Sequence, residues 1–168
     1  MIFKSIKDWF LKNEIFSILI IAVFFIFIRL PGVNLPLHQD EYKWPIIVNP
    51  VNISDTEIPH PPLSQFIYKT AGEIVGFNVN FRFVPLFFGT LNLFLLYYLL
   101  RMSFDRKVAT LGAIFFTLSY FSVLASLMVD TDGQIMPFFF LLSLIFYYKS
   151  NLSLDRKKYF WFSFMTLF

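Results

Sequence analysis

The sequence contains no cysteine. This absence excludes disulfide bonds, thiol catalysis and cysteine-based metal sites, and it leaves the redox compartment of the protein open. Charged residues are also scarce, at 15% of the 168 residues, whereas soluble domains average about 25%. The net charge is only +3, and the basic residues lie in short groups between apolar runs. That distribution indicates membrane topology and not a nucleic-acid-binding surface.

Apolar residues are correspondingly abundant. Hydrophobic residues make up 57% of the sequence, and phenylalanine alone contributes 25 residues. A soluble domain of this length has too little interior to bury so much apolar surface, so the composition predicts a protein whose solvent is the lipid bilayer. The expected fold class is an all-α polytopic membrane protein.

Several apolar stretches have the composition of membrane-spanning helices. The predicted spans are residues 12–30, 83–100, 108–129 and 134–148. A further apolar stretch begins at 159 and reaches only 168, which is too short to cross a bilayer. We therefore expect the chain to be the N-terminal part of a longer protein.

The first span has an alternative interpretation as a secretory signal peptide, because a basic start and an apolar core are typical of both. The sequence has no small-x-small cleavage site after Ile28, which favours an uncleaved anchor. Both interpretations place residues 31–82 outside the cell. Prolines interrupt this outer loop repeatedly, and a short amphipathic helix over 63–77 is expected to lie along the membrane interface.

Basic residues predict the orientation of the chain. With the N-terminus in the cytoplasm, ten of the fourteen Lys and Arg residues fall on the inner side. The four on the outer side are Arg29, Lys43, Lys69 and Arg82. This orientation places two acidic clusters, Asp40-Glu41 and Asp130/Asp132, on the same outer face. We expect a multi-pass protein of the plasma membrane.

The acidic clusters are the first candidates for chemistry. Asp40 and Glu41 follow the first span closely and can supply a general base or a charge-stabilising carboxylate, although acidic pairs are also common in solvated loops. Asp130 and Asp132 lie between two spans with almost no loop, where carboxylates are costly and are therefore functional candidates. The alternative is a tight turn at Thr131-Asp132-Gly133.

Three outer basic residues can clamp a phosphate: Lys43, His60 and Arg82. Each alone has the alternative of an ordinary interfacial cation. The carboxylates together with His60 also offer oxygen and nitrogen donors to a divalent metal, but their spacing leaves the metal open. No other cofactor is indicated.

The order of these features resembles a known family. Asp40-Glu41 in the first outer loop is followed by His60-Pro-Pro, by Arg82 at the start of the next span, by Gly-Thr-Leu and Leu-Tyr-Tyr-Leu-Leu-Arg in and just after that span, and by Asp132. The chain resembles the N-terminal part of the polytopic GT-C type glycosyltransferases that use polyprenyl-phosphate sugars. The most similar branch contains protein O-mannosyltransferases and lipid A aminoarabinose transferases.

The resemblance implies a GT-C-like transmembrane helix bundle with interfacial helices in a long first outer loop. It implies a hexosyl- or pentosyltransferase that moves a sugar from a polyprenyl-phosphate donor to a hydroxyl of a protein, lipid or glycan acceptor on the outer face, with inversion. The implied site residues are Asp40 as base, Glu41 as its partner, Lys43 and His60 near the lipid phosphate, and Asp132 as the second aspartate, which it matches better than Asp130 does. We predict Glu41 and Asp132 as orienting carboxylates, and Lys43, His60, Arg82 and Asp130 as substrate contacts. The chain departs from the family pattern at Gly133, where alanine is usual, and in the short stretch between Asp40 and His60.

A non-enzymatic membrane protein, such as a transporter or an assembly subunit, is the main alternative. It explains the spans and the basic loops equally well. It does not explain acidic and basic groups on one outer face, because transporters place charges within their spans near the bilayer midplane. A further alternative is that the 168 residues are an inactive fragment.

Overall fold

A computed structural model describes residues 13–38, 41–48, 61–76, 81–152 and 155–166. In this part of the chain every regular element is a helix, which confirms the predicted all-α class. The helices are α1 (Glu14–Phe27), α2 (Leu30–Val33), α3 (Lys43–Val48), α4 (Pro62–Val75), α5 (Phe83–Ser103), α6 (Arg106–Leu118), α7 (Tyr120–Ala125), α8 (Thr131–Leu152) and α9 (Arg156–Met165).

Three of the described helical segments are long and apolar enough to cross a membrane. They are Glu14–Val33, which combines α1 and α2, together with α5 and α8, and they contain 20, 21 and 22 residues. At about 1.5 Å per residue such helices extend about 30 Å, which is the thickness of a bilayer hydrocarbon core.

The stretch predicted as a single span over 108–129 contains two helices instead of one. The chain leaves the helical conformation at Ser119, whose φ of −61° and ψ of 128° are extended. Helix α6 has 13 residues and reaches about 20 Å, too short to cross a bilayer by itself. Helix α7 then continues for six residues.

The helix at the next predicted span, 134–148, extends beyond that range at both ends. Helix α8 begins at Thr131, so Asp132 and Gly133 lie in its first helical turn and do not form the tight turn that their sequence also allowed. Pro137 lies inside the helix, where it cannot donate a backbone hydrogen bond. One turn earlier, Asn92 of α5 binds the same helix, because its side-chain amide donates to the carbonyl oxygen of Gln134 at 2.9 Å and to its Oε1 at 2.7 Å.

Helix α5 lies at the centre and packs against α1, α6 and α8, while α9 packs along α8. A row of small residues on α6, Ala109, Ala113 and Thr117, is buried and allows close approach of the neighbouring helices. Large apolar side chains on the outer surface are exposed, such as Phe115 at 72% and Phe121 at 79%. Lipid is the natural solvent for this surface.

Polar contacts join the helices at both ends of the bundle. At one end, Glu14 Oε1 accepts hydrogen bonds from Arg101 Nε and from the Tyr97 hydroxyl, both at 2.8 Å. The Tyr148 hydroxyl donates to the Met102 carbonyl at this same end. We call it the Glu14 end, and we call the opposite end, where α5 begins and where the chain passes from α7 to α8, the Glu41 end.

Candidate functional site

The side chain of Glu41 joins three segments at the Glu41 end. Its Oε2 lies 2.7 Å from Arg82 Nη2 and accepts a hydrogen bond of 2.6 Å from the backbone N–H of His38. Its Oε1 accepts a hydrogen bond of 2.7 Å from the backbone N–H of Val129. The residue is 2% exposed. One buried carboxylate therefore connects the loop after α2, the start of α5 and the loop before α8.

Arg82 lies immediately before α5 and is 7% exposed. Besides Glu41, its Nη2 donates to the Pro36 carbonyl at 2.8 Å. Its positive charge compensates the buried carboxylate of Glu41. That Arg82 contacts the phosphate of a substrate stays a prediction from the sequence.

An aromatic cluster packs at the same end of the bundle and also contacts the loop before α8. The ring of Tyr68 on α4 lies 4.5 Å from that of Trp44 on α3 and 5.9 Å from that of Phe81, measured between ring centroids. All three side chains are fully buried. The Tyr68 hydroxyl donates to the Asp130 carbonyl at 3.2 Å. Burial raises the pKa of Tyr68, and the nearby Asp130 and Glu41 raise it further, so the phenol remains a hydrogen-bond donor.

The second acidic cluster lies directly after the segment that Glu41 binds. Asp130 is half-buried, and its Oδ1 accepts a hydrogen bond of 2.7 Å from the Thr131 N–H. Asp132 is exposed in the first turn of α8, where the positive end of the helix dipole stabilises a carboxylate. The structure thus brings Val129, the residue directly before the Asp130–Asp132 segment, into contact with Glu41, which is 88 residues away in sequence.

Of the three remaining predicted site residues, the structure describes Lys43. Lys43 is the first residue of α3 and is half-buried. Asp40 and His60 lie outside the described residues. Among the residues that are described, no group of three His, Asp or Glu side chains is arranged to hold a metal ion.

Gly133, where the family pattern has alanine, allows the start of α8 to lie close to the end of α7. A Cβ atom at Gly133 would lie 2.9 Å from the backbone oxygen of Ala125, a distance too short for van der Waals contact. Backbone is therefore packed against backbone where the first turn of α8 meets the end of α7. This contact helps to set the position of Asp132.

Sequence reasoning missed the role of Arg29, which it only counted among the four basic residues on the outer side. The side chain is fully buried near the end of the first span. Its guanidinium donates to the carbonyls of Phe25 and Thr117 and to the hydroxyls of Ser122 and Ser126, and its Cζ lies 3.4 Å from the centroid of the Phe25 ring. An arginine at the end of an apolar run was a signal for such a role.

The Thr117 carbonyl needs the hydrogen bonds that Arg29 donates to it. The extended conformation at Ser119 ends α6, so the last carbonyls of that helix lose their intrahelical donors. Arg29 supplies two N–H groups to one of them, each at 3.2 Å, and its positive charge lies at the negative end of the helix dipole. The break between α6 and α7 is thus stabilised by a residue between α1 and α2.

A cavity of about 670 Å³ opens between the start of α4, the first half of α8 and the end of α9. Its lining is mainly apolar and includes Pro61, Leu63, Ile135, Phe139 and Met165. Thr131 also lines it, and its buried hydroxyl has no hydrogen-bond partner among the residues that the structure describes. The cavity therefore extends from the acidic segment along the apolar part of the bundle.

A family model for dolichyl-phosphate-mannose-protein mannosyltransferases matches residues 59–168, which include Arg82, Asp130 and Asp132. Asp40 and Glu41 lie before the matched region. No curated protein and no solved structure shows a significant match to the chain. The match favours the transferase over the non-enzymatic alternative, and together with the three long apolar helices it confirms an all-α polytopic membrane protein. The chain therefore belongs to the dolichyl-phosphate-mannose-protein mannosyltransferase family, which indicates a membrane glycosyltransferase that uses a polyprenyl-phosphate sugar donor.

Proposed function

We propose that the protein transfers the sugar of a polyprenyl-phosphate donor to a hydroxyl of a protein acceptor on the outer membrane face, with Asp40 as the base. The observation that carries this proposal is the buried carboxylate of Glu41, which binds both Arg82 and the Val129 N–H. Asp40 is the residue directly before Glu41 in the chain. Anchoring of Glu41 therefore supports a site made from the first and second acidic clusters.

The proposed reaction is a single displacement at the anomeric carbon of the sugar. The acceptor oxygen forms the new bond to that carbon while the bond from the carbon to the phosphate oxygen breaks. Polyprenyl phosphate leaves with the electron pair, and the proton of the acceptor hydroxyl passes to the Asp40 carboxylate. A hydroxyl is a poor nucleophile at neutral pH, so a positioned carboxylate base contributes about 10²- to 10⁴-fold to the rate. Attack from the face opposite the leaving group inverts the sugar configuration.

Within this proposal, Glu41 and Arg82 are positioning residues. Both are buried and bound to each other, so neither is well placed to touch a substrate. Asp132 is exposed and can orient the acceptor, with Asp130 beside it. Lys43 and His60 are the basic residues assigned to the donor phosphate.

We assign the cavity between α4, α8 and α9 to the polyprenyl chain of the donor. Its apolar lining suits an isoprenoid, and its volume of about 670 Å³ is in the range of small-molecule sites. The Thr131 hydroxyl lies at the polar end of this cavity, beside Asp130 and Asp132. A donor bound in this way presents its phosphate and sugar to the acidic segment.

The test is sugar transfer by the full-length protein in membranes, with polyprenyl-phosphate mannose as donor probe. Asp40→Asn should reduce transfer by at least 10²-fold, the lower bound for loss of a general base. Asp55→Asn is the matched control, because it is the same change in the same predicted outer loop and should leave transfer unchanged. Normal transfer by Asp40→Asn, with equal amounts of protein in the membrane, would refute its assignment as the base.

A further inference from the structure

A second groove lies at the Glu14 end of the bundle, far along α8 from the acidic segment. It has a volume of about 510 Å³ and lies where α8 ends and α9 begins. Its lining residues are Ser150, Asn151, Arg156, Lys157, Phe160 and Trp161. The proposed transferase chemistry uses none of them.

The walls of this groove are held by contacts between α8 and α9. The Ser143 hydroxyl donates to the Ser163 carbonyl at 2.9 Å, and the rings of Phe146 and Phe162 lie 5.6 Å apart between centroids. The groove therefore lies between two helices that are fixed to each other. A site between fixed elements needs little ordering to bind a ligand.

The charge around the groove is strongly positive. Residues 149–158 contain four basic residues and one acidic residue, a net charge of +3. Arg156 and Lys157 are exposed in the first turn of α9, at the groove itself. Lys149 is directed elsewhere, because its Nζ lies 5.3 Å from the centroid of the Tyr98 ring. The positive charge that faces the groove is thus carried by Arg156 and Lys157.

Aromatic side chains lie on the apolar side of the same groove. Phe160 is 50% exposed and Trp161 is 59% exposed, and the ring of Trp161 packs edge-on against that of Phe164. Tryptophan side chains are enriched at the membrane–water interface, at the level of the lipid headgroups. The groove therefore combines cations, an exposed amide at Asn151 and apolar surface, which are the groups that suit the phosphate, glycerol and acyl chain of a phospholipid.

We propose that this groove binds one anionic glycerophospholipid, with its phosphate between Arg156 and Lys157 and its upper acyl chain against Phe160 and Trp161. Basic pockets between membrane helices are suited to anionic headgroups because they neutralise the phosphate near the membrane surface. Arginine can contact two phosphate oxygens at once, while lysine supplies a point charge. The proposal stands independently of the transferase chemistry.

Phosphatidylglycerol is the probe, titrated into the purified full-length protein in neutral detergent and followed by native mass spectrometry. Arg156→Gln and Lys157→Gln should each weaken binding of the first lipid about five-fold, and both together about 25-fold, since each basic group near an anionic headgroup contributes a similar amount. Higher salt should reduce the difference between wild type and variants. Phosphatidylcholine should bind equally weakly to all of them.

Lys158→Gln is the matched control, because it removes the same charge from an exposed residue of the same helix that does not line the groove. Its affinity should stay within about two-fold of wild type, as expected for a charge that makes no direct contact. Equal weakening by Lys157→Gln and Lys158→Gln would overturn the proposal in favour of general surface charge. Tighter binding of polyprenyl phosphate at the same residues would also overturn it, and circular dichroism checks that each variant is folded.

Discussion

Two ion pairs of nearly equal length offer a test of what burial does to electrostatic energy in this protein. Arg82 Nη2 and Glu41 Oε2 are 2.7 Å apart, and Arg101 Nε and Glu14 Oε1 are 2.8 Å apart. The side chains of the first pair are 9% and 2% exposed, whereas those of the second are 45% and 34% exposed. The pairs therefore differ in environment and hardly at all in distance.

The expected magnitudes differ accordingly. Removing one partner of a buried pair costs about 3–5 kcal/mol, because the other charge stays buried without compensation. Glu41→Gln should cost about 3–5 kcal/mol. It also places an amide N–H₂ group against N–H donors that bind carboxylate oxygens in the wild type. An exposed pair contributes about 0.2–1 kcal/mol in double-mutant cycles, so the coupling energy of Glu14 with Arg101 should stay below about 1 kcal/mol.

The assay is a double-mutant cycle for each pair, with the free energy of unfolding measured in detergent micelles by circular dichroism. The variants are Glu41→Gln, Arg82→Gln and their combination, and Glu14→Gln, Arg101→Gln and their combination. The combined buried variant should recover much of the single losses, because it removes both charges. The Tyr97 hydroxyl also donates to Glu14, and the cycle removes this contribution from the coupling energy.

Equal coupling energies for the two pairs would contradict this reasoning, as would a Glu41→Gln variant as stable as wild type. Either result would mean that Glu41 is not held by Arg82 in the folded protein. Its assignment as the residue that positions the acidic segment would then fail as well.

Two further predictions concern packing and the broken span. Gly133→Ala should destabilise the protein by about 1–3 kcal/mol, because the new Cβ meets the backbone oxygen of Ala125. Gly32→Ala should cost less, since the atoms that its new Cβ meets are the flexible end of the Leu127 side chain. Thermal unfolding midpoints of the two variants test this prediction, and equal midpoints would refute it. Arg29→Met should lower the free energy of unfolding by about 2–6 kcal/mol, because the carbonyls of Phe25 and Thr117 lose the hydrogen bonds of the guanidinium. Arg29→Lys should lower it less, because lysine keeps the charge and three donors. A methionine variant as stable as the lysine variant would contradict the role of the buried guanidinium.

The broken span shows where sequence reasoning about this fold reached its limit. The apolar composition of 108–129 predicts a helical stretch in contact with lipid, and most of this stretch is helical. The break at Ser119 depends on Arg29 reaching the Thr117 carbonyl from 88 residues away. No periodicity within the stretch contains that contact. A local pattern therefore predicts a helix, and a tertiary hydrogen bond allows the helix to end early.

The candidate site divides in a similar way. That both acidic clusters belong to one outer surface remains a prediction from charge counts, and the structure places Glu41 beside the segment that leads to Asp130. What the sequence could not indicate is that Glu41 and Arg82 neutralise each other inside the protein. Acidic and basic residues near a membrane look alike in sequence whether they face a substrate or a partner. Only their burial separates the two cases.

Polar contacts have a particular importance in this protein because lipid is as apolar as its interior. Packing one leucine against another in place of a lipid chain gains little, so apolar burial alone does not fix how helices slide past each other. Hydrogen bonds can, since a donor meets its acceptor at one register only. Arg29 binds the end of α6 at Thr117, and Glu41 binds Val129 shortly before α8, so the segment between the two helices is fixed near both of its ends. That segment ends in Asp130 and Asp132, so the costly buried charges hold in place the acidic residues proposed to meet the substrate.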